Sequence, residues 1–190
     1  MNILSIFDEH NAVMRDAAGL APLLEEAAEL MQACLASGHK VLACGNGGSA
    51  AAAQHFVAEL VCRFRDDRRA LAGVALTADT MTMTAIGNDY GYNRIFARQV
   101  EALGARGDVL VALSTSGNSA NVVEAAKVAR RMGCTVIALT GMDGGVLASL
   151  ADLPLKAPSR VVARIQEVHD VCIHALAEAI EEQARGVAGS

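Results

Sequence analysis

The chain has 190 residues, a formal net charge of −5 and a hydrophobic fraction of 53%, of which aromatics make up only 3% of the chain. One domain with a core of Ala, Val, Leu and Ile is expected, and the acidic balance argues against a general nucleic-acid surface. No uninterrupted apolar run reaches the ~18 residues of a membrane helix, and five cysteines (34, 44, 62, 134 and 172) without a Cys-x-x-Cys pair suit free thiols in a reducing compartment.

Asp8 and Glu9 come early and no basic flank precedes them, so no signal peptide is expected and the setting is the cytoplasm. Residues 5–36 read as one helical stretch broken near Gly19 to Pro22, and Gly38 ends it. Lys40 to Cys44 is a short apolar strand, followed by the turn Gly45-Asn46-Gly47-Gly48-Ser49. Ala50 to Phe64 is alanine-rich and helical. The basic cluster Arg63, Arg65, Arg68, Arg69 is interrupted by Asp66 and Asp67 and reads first as a solvated turn; attraction of an anionic substrate is the lesser alternative. Gly73 to Thr77 is a second strand. Residues 80–86 and 93–103 are expected as helices around a loop at 87–91. Strands at Val109 to Leu113, Thr135 to Leu139 and Leu153 to Lys156 follow, and a long helix from Arg160 to about Gln183 closes the chain. The tail from Gly186 to Ser190 is expected to fray. Alternating strands and helices predict an α/β fold: a doubly wound, three-layer parallel five-stranded sheet, flavodoxin-like, with long N- and C-terminal helices. Residues 1–190 form a single domain in this reading, with a helical extension over about 1–37. Ligands of such sheets sit beyond the carboxyl ends of the strands, where the turns 45–49 and 114–119 can face one crevice.

The most informative segment is 108–126. An apolar strand runs into Ser114-Thr115-Ser116-Gly117-Asn118-Ser119, and a helical pattern then continues to about Met132. The first N–H groups of a helix lack intrahelical acceptors and its dipole favours negative charge there, so this is an anion site. Four small hydroxyls can wrap a phosphate ester. No lysine stands in the turn, which separates it from the nucleotide P-loop. The bland alternative is that Ser119 or Asn118 merely caps the helix, which accounts for one hydroxyl.

His55 and Glu59 are four apart and share a helix face. Such a pair can bind a divalent metal or act as acid and base, although the spacing also arises by chance on solvated faces. The last helix carries Gln166, His169 and His174. Gln166 and His174 are separated by about 12 Å along it and roughly 80° in azimuth, near the limit at which both could reach one point. His169 lies on another azimuth and reads as a surface or packing histidine. His10 and His39 have no supporting context.

These motifs, together with Gln54-His55-Phe56, Gly87-Asn88-Asp89-Tyr90-Gly91, Leu139-Thr140-Gly141-Met142-Asp143-Gly144-Gly145 and Arg164-Ile165-Gln166-Glu167, resemble the phosphoheptose isomerase family of the sugar-isomerase (SIS) domain class. The resemblance covers most of residues 20–182. It implies conversion of sedoheptulose 7-phosphate to D-glycero-D-manno-heptose 7-phosphate, the entry step to ADP- or GDP-heptose for lipopolysaccharide or related glycoconjugates. It also implies a homotetramer with active sites between subunits. By the same resemblance Ser114, Thr115, Ser116 and Ser119 hold the phosphate, and Asn46, Gly47, Gly48, Asn88 and Asp89 line the sugar site. His55, Glu59, Gln166 and His174 bind zinc, with Glu59 and Gln166 also at the substrate, and Glu59 and His174 are the acid/base pair. Two departures stand out. Many members have Asp where this chain has Ala52 and Ala163, and each loss removes a hydroxyl acceptor or a partner of a metal ligand.

Aldose–ketose interconversion needs a base at carbon, a proton donor for oxygen and stabilisation of an enediol oxyanion. Glu59 and His174 are expected to supply the first two. A carboxylate held tightly by metal is a weaker base, so Glu59 must loosen from any ion to act. The competing reading is a non-catalytic SIS-domain regulator of the bacterial replication initiator protein; it lacks equivalents of Glu59 and His174, both present here. A phosphosugar-sensing domain of a transcription regulator would carry a DNA-binding module, for which 190 residues leave no room.

Overall fold

Three strands of the computed structural model, which describes residues 2–186, are almost wholly buried: β1 (Val41–Cys44), β3 (Val109–Ser114) and β4 (Thr135–Thr140). Their continuous Val, Leu, Ile and Ala runs suit strands covered on both faces. With β2 (Gly73–Ala75) and β5 (Leu153–Lys156) at the edges they form one parallel sheet in the order β2-β1-β3-β4-β5.

Side-chain alternation along the strands divides the core into two layers. Val41, Ala43, Val109, Val111, Leu113, Ile137 and Leu139 point to one face. There they pack with Phe56 of α3 (Gly48–Val61), Met31 of α2 (Ala21–Ala36) and Ile173 of α8 (Val162–Gly186). Leu42, Leu110, Ala112, Val136 and Ala138 point to the other, against Phe96, Val100 of α5 (Ala97–Leu103) and Ala125 of α6 (Ala120–Met132). The two fully buried phenylalanines thus serve one layer each, and small residues fill the rest.

The five strands, the parallel sheet and the long terminal helices are those the sequence predicts. The N-terminal helix is broken where Gly19 and Pro22 indicated: α1 (Ile3–Ala17) passes through a 3₁₀ turn at Ala18–Leu20 into α2. Two expectations change. Residues 87–90 are not a loop: α4 (Thr80–Tyr90), capped by Asp79, carries Asn88 and Asp89 on its last turn and stops at Gly91. A short helix, α7 (Gly145–Leu150), was not expected at all, because its six residues are too few for a readable period. Gly186 is the last residue of α8; the rest of the tail expected to fray lies outside the described residues.

Sheet order reverses between β1 and β3, since β1 leads outward through α3 to the edge strand β2 and β3 continues the other way. That reversal opens a crevice at the carboxyl ends of the two strands. Both polar turns open into it. Asn46 and Asn121 exchange amide hydrogen bonds of 2.8 Å in each direction across this gap, tying the turn after β1 to the first turn of α6.

Candidate active site

The turn after β3 is not a simple side-chain helix cap. Ser119 is the N-cap of α6 in extended conformation, yet its side chain makes no capping bond; its Oγ lies 2.9 Å from Ser114 Oγ instead. The capping alternative is therefore set aside. Ser116 Oγ accepts from the Asn118 N–H at 3.1 Å, and Gly117 N–H donates to Ser114 O at 3.0 Å, closing the turn. Thr115, Ser116 and Asn118 line a cleft of about 290 Å³ together with Gly141, Ser159 and Ile165. The unexpected helix α7 supports this turn from behind. Leu147 N–H donates to Gly117 O (2.9 Å), Val146 N–H to Asn118 Oδ1 (3.0 Å) and Gly141 N–H to Thr115 O (3.0 Å).

A second cluster forms where α3 meets α8. His55 Nε2 lies 3.0 Å from Glu59 Oε1, as expected for neighbours one turn apart. The His174 ring meets the His55 ring edge-on at 4.9 Å and is flanked on another side by Phe64 at 5.6 Å. Gln166 packs on the start of α3 so closely that a Cβ on Gly48 would fall 2.8 Å from its amide carbon. Gly48, His55 and Gln166 line a cleft of about 320 Å³ with Ala52, His169 and Asp170. Ala52 forms an alanine wall of this cleft, and Ala163 is exposed. Among the described residues no group of three or more His, Cys, Asp or Glu converges to hold a metal ion.

Helix α8 runs along the whole arrangement. Val162 and Ile165 border the hydroxyl turn, Gln166 and Asp170 border the second cleft, and His174 reaches His55. From Ile165 to His174 the helix advances about 13 Å.

Asn46 accepts from the Tyr92 hydroxyl at 3.2 Å, which joins the first turn to the segment after α4. Asn88 and Asp89 hydrogen bond to one another at the exposed end of α4. His169 is a packing histidine, buried, with Nε2 3.1 Å from Thr140 O, and burial pushes its pKa down to about 4. Cys44, at the end of β1, is buried with its thiol pushed up to about 12, so it is no nucleophile. His10 and His39 do have partners: His10 Nδ1 lies 2.7 Å from Glu167, and His39 lies 3.8 Å from Asp108.

The basic cluster is solvated at Arg63, Arg65 and Arg69, as expected, and departs from that only at Arg68. Arg65 is exposed, but the Arg68 side chain is only 3% exposed and donates to Glu59 O (2.6 Å) and Leu60 O (2.9 Å) at the end of α3. Sequence reading also passed over Asn121, Tyr92 and Phe64. Asn121 and Tyr92 are uncharged and Phe64 is apolar, and none has a spacing signature.

A parallel sheet with a hydroxyl turn at its reversal point defines the SIS class, and residues 7–141 match the family model described as "SIS domain". Within that class the chain is 54% identical to phosphoheptose isomerase of Aliarcobacter butzleri over 160 residues, covering 84% of this chain and 85% of the relative. It is similar in structure to phosphoheptose isomerase from Neisseria gonorrhoeae, with a TM-score of 0.90, 49% identity and coverage of 95% and 97%. It is likewise similar to that from Francisella tularensis, with a TM-score of 0.92, 41% identity and coverage of 95% and 96%. The chain belongs to the phosphoheptose isomerase family, and it is an isomerase.

Proposed function

We propose that this isomerase converts sedoheptulose 7-phosphate to D-glycero-D-manno-heptose 7-phosphate, the first step towards ADP- or GDP-heptose for lipopolysaccharide or related glycoconjugates. The observation that carries the reading is the arrangement along α8. A hydroxyl turn for the phosphate and an acid/base cluster for the carbonyl end are both bordered by this one helix, which places them in a fixed order along it. Ser114, Thr115, Ser116 and Ser119 bind the phosphate and fix the chain by remote binding energy. Asn46, Gly47, Gly48, Asn88, Asp89 and Gln166 bind the sugar hydroxyls. Glu59 takes the proton from C1 while His174 protonates the C2 carbonyl oxygen, giving the enediol. Glu59 then returns the proton to C2 as the C1 hydroxyl gives its own to His174, leaving the aldehyde and restoring both groups.

His55, Glu59, Gln166 and His174 would hold a zinc ion. Two imidazoles, a carboxylate and an amide oxygen suit that metal by donor type, and His55 touches both Glu59 and His174, although among the described residues the His and Glu donors do not converge on one point within this chain. Bound there, the ion supplies Lewis-acid polarisation of the carbonyl oxygen. Metal analysis of the purified chain is expected to find a divalent ion, with occupancy reduced in His55→Ala; unchanged affinity in that variant removes His55 from the ligand set.

The active form is read as a homotetramer with sites between subunits. Ile3, Leu4 and Phe7 are 72%, 62% and 60% exposed on α1. An apolar groove of about 1030 Å³ runs along the edge strand β2, lined by Val57, Val61, Val74, Ile86 and Leu103. Surfaces of this kind are rarely left to water. Light scattering should give four times the chain mass of 19.7 kDa; a monomer overturns the assembly. A cytoplasmic setting is supported by the free state of all five cysteines, and no helix among the described residues is long and apolar enough to cross a membrane.

A further inference from the structure

One buried ion pair lies just behind the acid/base cluster and touches both of its helices. Arg68 and Glu181 are 3% and 4% exposed, with Arg68 Nε 3.3 Å from Glu181 Oε2. The last carbonyls of a helix have no intrahelical donors, and the Arg68 guanidinium takes over two of them, including the carbonyl of Glu59 itself at 2.6 Å. Glu181 stands on α8 seven residues beyond His174, hence on the same face. Its carboxylate accepts the backbone N–H groups of Phe64 (2.8 Å), Arg65 (2.7 Å) and Asp66 (2.8 Å). Those three bonds hold the segment that lays Phe64 against the His174 ring. Burial pushes the Glu181 pKa up, but the three N–H groups and Arg68 outweigh it and hold the carboxyl below its ordinary value.

We propose that the Arg68–Glu181 pair is a positioning device for the isomerisation, fixing the end of α3 that carries Glu59 and holding Phe64 against His174, so that it sets the separation of acid and base. The proposal rests on the reading of Glu59 and His174 as that pair. Arg68 and Glu181 are positioning residues: each acts through a backbone contact.

The test compares Glu181→Gln and Arg68→Lys with Glu178→Gln, which removes an exposed ion pair to Arg65 one turn away on α8. Each is made in the full chain. In Glu181→Gln and Arg68→Lys, kcat is expected to fall about tenfold or more, since displacements of the order of 1 Å at reacting groups cost about that much or more. KM should stay within about twofold because the hydroxyl turn is untouched, and Glu178→Gln should match the wild type. The ring-proton NMR signals of His174 should move in Glu181→Gln, because Phe64 no longer lies in the same place above the ring. Should the single variants fail to fold, the double variant Arg68→Met, Glu181→Gln leaves no lone buried charge and is expected to recover the fold. Low kcat in that folded double variant supports positioning; full recovery of kcat with stability overturns it. Unchanged kcat in folded single variants also overturns it. If the wild type isomerises nothing, the acid/base reading fails separately, and the His174 signal alone decides: displacement supports the positioning, and an unmoved signal overturns it.

Discussion

Glu59→Gln and His174→Asn are each expected to lower turnover by on the order of a hundredfold or more, the usual worth of a positioned acid or base. Glu59→Gln keeps size and can still accept from His55 Nε2, so the local geometry of α3 persists. His174→Asn keeps a polar group but removes the imidazole read as the proton donor. Neither position belongs to the buried apolar clusters, so neither change opens a core cavity and both variants should remain folded oligomers. Exchange of the C1 proton of sedoheptulose 7-phosphate into heavy water is the decisive readout, because it reports the carbon step without product release. Wild-type protein that exchanges no label, with metal present, overturns the catalytic reading. Retained partner binding in both variants, with no isomerisation by the wild type, supports the replication-initiator regulator instead.

How much of this was visible beforehand depends on the kind of signal. The sheet was legible because buried parallel strands are written as short apolar runs, and Val109 to Leu113 or Thr135 to Leu139 admit little else. The hydroxyl turn was legible because small donors between a strand and a helix have a direct physical meaning. The pairing of His55 with Glu59 followed from a four-residue spacing on one helix. What could not be read depends on tertiary placement. The approach of His174 to His55 joins helices more than a hundred residues apart in the chain. Arg68 sits in a segment whose composition suggests solvent, and only the distant Glu181 makes its burial tolerable. The last turn of α4 carries Gly87, Asn88 and Asp89, poor helix formers that pointed to a loop; its Asp79 cap and the packing of Met83 and Ile86 on the core prevail over that preference.

Gly117→Ala is expected to reduce kcat/KM for the phosphosugar by on the order of a hundredfold, about 2.7 kcal/mol, with only a modest loss of overall stability. The position combines two constraints. Its φ is +66°, a left-handed conformation that costs other residues about 1–2 kcal/mol. Its missing side chain is also what lets the turn lie directly on the Gly144–Gly145 backbone: a Cβ would overlap the Gly144 carbonyl and come within 2.9 Å of the Gly145 nitrogen. The contact is reciprocal, since a Cβ on Gly145, with φ of +58°, would lie 2.6 Å from the Gly117 carbonyl carbon. Backbone presses on backbone here, so no side chain can rotate to make room. The turn must move, and with it Thr115, Ser116 and Ser119, which meet the proposed phosphate. Ser116→Ala provides the scale. It removes one hydroxyl and its bond from the Asn118 N–H but keeps the Gly117 and α7 contacts that hold the turn, and should weaken binding by about 1–3 kcal/mol, the usual loss of a hydrogen bond to a charged group. Calorimetric titration with a phosphosugar, beside thermal unfolding, checks both. A melting temperature lowered by roughly 5 °C follows from about 2 kcal/mol of local strain in a chain of this size. Gly117→Ala protein that binds the phosphosugar as tightly as the wild type would show that the phosphate is held elsewhere, because no rearrangement of this turn can keep both the new methyl group and its place against Gly144.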